Sequence, residues 1–312
     1  MKNILVYLII GISINYGLGA APVNSGVPIL NRNSFGARQI SLGDTFTGIA
    51  DDINTLSVNP AGIGFFSGKR ISLMYMRYTE DFVFGYAAAG VPINKGFSSV
   101  GIEFGYFSMN EFDSYNSVGE NSGNSITAGD IMLGISYGDK ILRYFNIDKD
   151  LSAGATVKFI KSEIAEDKIN TFGADVGLLY KTTIFSFWKK RVNNFSAGIS
   201  VQNIGIVYMP IKYRIGFGYN IYNDKNNSIL LGADVIFYNS DNVESSIGIE
   251  YTLLKIVSIR AGYKPLGIDT GKLTTGIGVS YNVSGYVLLA NYGNILMSDL
   301  GNIHTFSISV EL

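Results

Sequence analysis

Along residues 211–221 the apolar Ile211, Tyr213, Ile215, Phe217, Tyr219 and Ile221 interleave with Lys212, Arg214, Gly216, Gly218 and Asn220. Successive side chains of a β-strand point to opposite faces, so this period of two builds a ribbon with one greasy face and one polar face. Runs of the same kind recur from residue 69 to 312, each closed by a turn signal. They predict about fourteen strands, near residues 71–78, 82–88, 99–107, 129–137, 151–161, 172–180, 195–202, 211–221, 228–238, 245–253, 257–264, 274–281, 285–292 and 305–312. Most of these lengths approach the roughly 9–11 residues that cross a bilayer as a tilted strand.

Two architectures alternate in this way. A soluble β-sandwich hides its apolar face against a second sheet and solvates the other, which is then rich in Lys, Glu and Thr. A transmembrane barrel turns its apolar face to lipid. Here the polar face is mostly Gly and Ser with isolated charges, as a crowded or partly filled lumen requires. Charged residues amount to 16%, against roughly 25% in an ordinary soluble domain. No apolar run reaches the roughly 20 residues of a spanning helix. The expected fold is therefore all-β: an antiparallel transmembrane β-barrel of about fourteen strands, with the sandwich as its competitor.

The address agrees. Lys2, the apolar stretch from Ile4 to Ile14, and the small residues Gly17, Gly19 and Ala20 have the form of a signal peptide over residues 1–20, cut after Ala20. The expected division is a signal peptide at 1–20, an N-terminal segment at 21–68 and a barrel at 69–312, in a bacterial outer membrane. Bacterial barrels carry long loops outside and short turns in the periplasm. The longest expected loop, 108–124, and the stretches 265–272 and 293–303 then fall outside, and the short links 92–96 and 282–284 fall on the periplasmic side. The links 138–150 and 181–194 depart from this rule, being long and basic. Tyr78, Tyr106, Tyr137, Tyr180, Tyr251, Tyr263, Tyr281 and Tyr292 lie near strand ends, where a barrel carries its interfacial aromatic girdles.

Little points to chemistry. The polar face carries Glu103, Lys158, Asp175, Lys212, Arg214, Asp234, Glu250, Arg260 and Glu311, a mixture of signs. Such groups either pair across the lumen, since unpaired buried charges cost several kcal/mol, or form a polar path or a grip on a ligand's anionic head. His304 is the single histidine and cysteine is absent, so no catalytic residue, metal site or cofactor is expected. The net charge of −1 argues against nucleic acid. The pairs Gly216/Gly218 and Gly276/Gly278 read as by-products of strand alternation, because they open no helix and lack a third glycine.

The most distinctive stretch precedes the first strand: Gly36-Ala37-Arg38, then Ala50-Asp51-Asp52, then Asn59-Pro60-Ala61-Gly62. Asp51 is placed to cap a short helix through Ile53 and Leu56. Asn59-Pro60 is placed to end it. A compact element this close to the barrel mouth suits a plug inside the lumen. In the order of these motifs the chain resembles the long-chain fatty-acid transporter (FadL) superfamily, including the PorV/PorQ proteins and spirochaetal relatives. The motif match covers residues 36–64, and the remainder matches in pattern. The resemblance implies a fourteen-stranded barrel closed by an N-terminal hatch, with Asn59, Pro60 and Ala61 in the hatch's Asn-Pro-Ala element. It also implies outer-membrane lipid as surroundings and uptake of long-chain fatty acids or other hydrophobic molecules, with a lateral opening near the third strand. Gly101 and Gly105 lie where a kink would form. The chain is shorter than the transporters and its outer loops look small. That leaves open a PorV/PorQ-like role with secretion-system proteins as partners, or a structural, porin-like barrel.

Overall fold

The computed structural model describes residues 35–78, 82–115, 118, 121–145, 147, 149–165, 167–184, 193–206, 209–240, 242–266, 272–297 and 301–312. The expected signal peptide lies outside the described residues. Fourteen strands close into one antiparallel barrel: β1 (Arg70–Arg77), β2 (Phe82–Ile93), β3 (Ser98–Tyr115), β4 (Asn121–Lys140), β5 (Asp150–Ile164), β6 (Asp167–Thr182), β7 (Phe195–Ile204), β8 (Lys212–Asn223), β9 (Ser228–Tyr238), β10 (Val243–Leu253), β11 (Val257–Leu266), β12 (Leu273–Val283), β13 (Tyr286–Leu296) and β14 (Ile303–Glu311). Each strand pairs with its neighbours in sequence, and β1 pairs with β14 from Arg70↔Glu311 to Arg77↔His304. Closure leaves no edge strand with unpaired backbone groups, a condition for life in hydrocarbon.

The faces decide between barrel and sandwich. Along β8 every second residue from Lys212 to Gly218 is buried, while Tyr213, Ile215 and Phe217 are exposed. The same inversion runs round the wall: Leu73, Ile135, Val157, Phe172, Ile259 and Ile308 each expose 60% or more of their surface. A polar interior with an apolar exterior is the reverse of a soluble core. Only lipid makes such an exterior stable.

Tyrosines mark the two edges of that belt. Tyr137, Tyr251, Tyr281 and Tyr286 are exposed near the end bearing the short turns, and Tyr75, Tyr213 and Tyr263 are exposed toward the other end. Tyr78 departs from the expected girdle: it packs inward, against the interior cluster described below.

The hairpins are longer than alternation alone suggested. Residues 108–115 and 121–124 are not a free loop, because β3 and β4 stay paired through Phe112↔Ile126 and out to Tyr115↔Asn121, with register shifts after Met109 and Asp113. At 18 and 20 residues, these strands exceed the roughly 9–11 that a bilayer needs, so their tips stand clear of it. The basic link after β4 holds a 3₁₀ turn, Ile141–Phe145. The region of the expected kink is regular: β2–β3 pairing is continuous from Phe82↔Met109 to Ile93↔Ser98, past both Gly101 and Gly105. No gap opens between these strands for a lateral exit, since every rung of the ladder is made.

Ahead of β1 the chain lies inside the barrel. It forms helix α1 (Ala37–Ser41) and two 3₁₀ turns, Ile53–Ser57 and Pro60–Phe65. Helix α1 packs against β11–β14 and the Pro60–Phe65 turn against β3–β6, so the segment reaches both walls of the lumen.

Candidate functional site

The lumen has three levels: a hatch, an apolar chamber packed with side chains on its loop side, and a polar cavity on its turn side.

The hatch is held by capping, by buried charge and by close backbone approach. Capping differs in detail from the expectation. Asp52, not Asp51, caps the Ile53–Ser57 turn, its carboxylate accepting the Asn54 N–H at 2.9 Å. Asp51 is turned toward Arg38 instead. Asn59 does more than end one turn, since its Oδ1 accepts from the Ala61 N–H and so caps Pro60–Phe65. Its Nδ2 donates to the Thr47 carbonyl inside the hatch (2.9 Å) and the Leu178 carbonyl of the wall (3.1 Å). One buried amide thus ties two hatch segments to β6. Pro60 supplies a fixed φ at the first position of the turn. A Cβ at Gly62 would sit 2.5 Å from the Ala50 carbonyl oxygen.

Charges gather mainly at two centres between hatch and wall, and Lys264 of β11 also pairs with Asp44 of the hatch. Arg38 makes a bidentate pair with Glu250 (2.8 and 2.9 Å) and reaches Asp51 (2.5 Å) and Asp52 (3.3 Å). Burial works against the Arg38 charge, but Asp51, Glu250 and Asp52 outweigh it and raise its pKa above the ordinary value. Arg260 meets the same Glu250 at 2.5 Å. In the second centre Asp234 accepts the N–H groups of Phe46 (3.2 Å) and Thr47 (2.9 Å), together with Arg214 at 3.3 Å. Arg214 also donates to the Thr47 hydroxyl and the Asp44 carbonyl, each at 2.9 Å. Lys158 and Asp175 pair at 2.9 Å within the wall. Lys212 lies 5.9 Å from the Tyr238 ring centre. Glu311 meets Arg70 at 3.4 Å by the barrel seam. Glu103 accepts from the Tyr86 hydroxyl at 2.7 Å.

A belt of glycines makes room for the hatch backbone, a feature that alternation alone concealed. Gly138, Gly154 and Gly177 face one another across β4–β6, then Gly198 and Gly216 across β7–β8. Gly218, Gly232, Gly248 and Gly262 follow across β8–β11, and Gly276 and Gly293 complete the arc. The belt steps back two residues toward the turn end at three places, which keeps it level against the stagger of tilted strands. A Cβ at Gly154 would lie 2.4 Å from Pro60, at Gly198 2.0 Å from the Thr47 oxygen, and at Gly248 2.4 Å from the Leu42 oxygen. Gly216 therefore makes room for the Asp234 carboxylate and Thr47, and Gly276 for Ser41, rather than being by-products of alternation. The readable signal was glycine recurring at the inward parity of strand after strand.

Above the hatch the lumen turns apolar. Met74 and Met76 from β1, Phe84 and Tyr86 from β2, Phe107, Met132 and Ile160 from β3–β5, and Met209 and Met297 from the loops form one buried cluster. Phe35 stacks on Tyr86 with ring centres 4.6 Å apart. The sequence holds seven methionines; apart from Met1, all line this cluster or pack against it. Below the hatch a cavity of about 310 Å³ faces the turn end, bounded by Arg38, Asp52, Glu250, Lys255, Asn291 and Ser309 among others. His304 bonds Tyr292 at 2.8 Å on the outer surface, away from the lumen.

A closed barrel with an apolar exterior and a lumen stopped by its own N-terminal segment defines an outer-membrane protein of the hatch-bearing kind. No family model matches the chain, and a search of curated proteins finds no match. Among solved structures it is similar to the toluene transporter TbuX of Ralstonia pickettii, at a TM-score of 0.60 and 13% identity over 89% of this chain and 97% of that one. It is also similar to the Pseudomonas putida toluene transporter TodX (0.59, 12%, covering 89% and 97%) and to the monoaromatic hydrocarbon channel CymD (0.53, 12%, covering 88% and 96%). At these identities the likeness is one of fold.

Proposed function

We propose that this barrel is a passive conduit for apolar small molecules across an outer membrane, and not an enzyme. The observation that carries the reading is the methionine-rich chamber on the loop side of the hatch. A water-filled porin has a polar interior, whereas this lumen is packed with Met, Phe and Ile on the loop side of the hatch. Methionine is unbranched and adaptable, so such a lining reshapes round a guest with little strain. The chamber lies on the side of the long hairpins and the polar cavity on the far side of the hatch, an order that suits entry from the hairpin side. The fold shared with proteins described as toluene transporters supports the reading, while the secretion-component alternative draws no support from that comparison.

The test is uptake of labelled toluene by cells whose outer membrane limits entry, with and without the protein. Uptake rises with the wild type and falls toward background with Met132→Trp, which overpacks the chamber; overpacking of this sort costs about 1–3 kcal/mol. Equal uptake in cells lacking the barrel, or a sustained open conductance in planar bilayers, would refute the proposal.

A further inference from the structure

The floor of the chamber carries an acid with no counter-ion. Glu103 is 4% exposed. Among the described residues its carboxylate has one hydrogen-bond donor, the Tyr86 hydroxyl at 2.7 Å, and no basic group within 4 Å. The basic residue nearest in register is Lys158, one strand beyond Gly134. It is already engaged by Asp175 at 2.9 Å and by Asn203 at 2.7 Å. Tyr86 belongs to the apolar cluster, so the pair sits where apolar lining meets polar hatch. The next inward positions toward the loop end, and the one opposite, are Gly105 and Gly134. Glu103 lies over Gly134, where a Cβ would come within 2.6 Å of its Oε1. Higher in the chamber wall Asp130, 2% exposed, accepts from the Ser162 hydroxyl at 2.5 Å. Glu103, beside the apolar lining, is thus placed to accept a further hydrogen bond and offers an anion no cation.

Resting on the transport reading above, we propose that the chamber prefers apolar molecules bearing one hydroxyl or amine donor, which Glu103 and Tyr86 receive, and that it disfavours carboxylate anions such as fatty acids. The apolar body of the guest displaces methionine side chains. Its donor reaches the Glu103 carboxylate, and the Tyr86 hydroxyl holds that carboxylate in place. A fatty-acid anion would find no cation here to pair with, and an uncompensated buried charge is costly.

Equilibrium binding of 4-methylphenol, toluene and decanoate to the purified, detergent-solubilised barrel tests this. The first two differ only by the hydroxyl. Wild-type protein is expected to bind 4-methylphenol about tenfold more tightly than toluene, as one added buried hydrogen bond implies. Glu103→Leu loses that advantage, leaves toluene affinity within about twofold and strengthens decanoate binding. Tyr86→Phe and the conservative Glu103→Gln reduce 4-methylphenol affinity less, and they keep the test intact if Glu103→Leu fails to fold. Toluene binding with no preference for 4-methylphenol, equal effects of Glu103→Leu on all three ligands, or tighter decanoate binding by wild type each overturns this inference alone. Binding of neither toluene nor 4-methylphenol overturns the transport reading with it.

Discussion

Replacing Gly154 by alanine is the most direct test of how the hatch is seated. The new Cβ would stand 2.4 Å from the Pro60 carbonyl carbon and oxygen and 2.5 Å from the Ala61 nitrogen. Ordinary contact distances are near 3.5–4.0 Å, so about 1 Å of separation must be created. Neither side yields cheaply. Gly154 is paired in register with Gly138 on one side and Gly177 on the other, while Pro60 and Ala61 belong to a turn capped by Asn59. Overpacking against immovable atoms costs about 1–3 kcal/mol, and the strain falls on the hatch, which has fewer hydrogen-bonded neighbours than the wall. Gly129→Ala is the control: its nearest neighbour is the Phe107 oxygen at 3.5 Å, so its effect belongs within about 0.5 kcal/mol of zero. Urea unfolding in detergent, followed by far-UV circular dichroism and gel mobility, measures the difference. Trypsin cleavage at Arg38 reports release of the hatch. If Gly154→Ala unfolds and is cleaved like Gly129→Ala, the glycine belt is not a seat and the account of it above is wrong.

Other outcomes follow from the same geometry. Arg38→Met leaves Glu250, Asp51 and Asp52 without their shared cation, so a loss of about 3–5 kcal/mol and accelerated proteolysis of the hatch are expected; unchanged protease resistance would contradict that. Asn59→Ala removes one cap and two carbonyl contacts at once. It should destabilise by about 2 kcal/mol, more than a cap alone, and an effect below about 0.5 kcal/mol in the same urea titration would count against it. Lys158→Met strands Asp175 beside Asn203, and the double change Lys158→Met/Asp175→Leu should recover most of the lost stability, because well-packed apolar residues often match a buried pair. A double variant no better than the single one would reject that coupling.

Much of the wall was legible because barrels obey a rule of parity. Once Tyr213, Ile215 and Phe217 share one side with Lys212, Arg214 and Gly216 on the other, only the surroundings of each side remain to be settled. Poor charge content and a Gly-rich polar face settle them. All fourteen predicted strands have counterparts in the structure, with ends displaced most where β3 and β4 run on past the bilayer. The tips of those hairpins carry no apolar–polar contrast across a membrane, so alternation fades although pairing continues. The hatch was harder to read. Its sequence has no periodicity, and which of Asp51 and Asp52 caps a turn depends on where Arg38 lies, fixed by Glu250 more than two hundred residues away. Residues such as Met209 and Met297 join the chamber from loops, and no local pattern in a loop announces which way a side chain points.

The order of the parts along the chain constrains how the protein is assembled. Helix α1 precedes every strand, yet it rests on β11–β14, and Arg38 finds its bidentate partner only on β10. The stopper must therefore wait, unanchored, while most of the cylinder is laid down. Because it runs directly into β1, which zips to β14, it must be drawn within before that seam shuts. Contacts so distant in sequence make for slow folding.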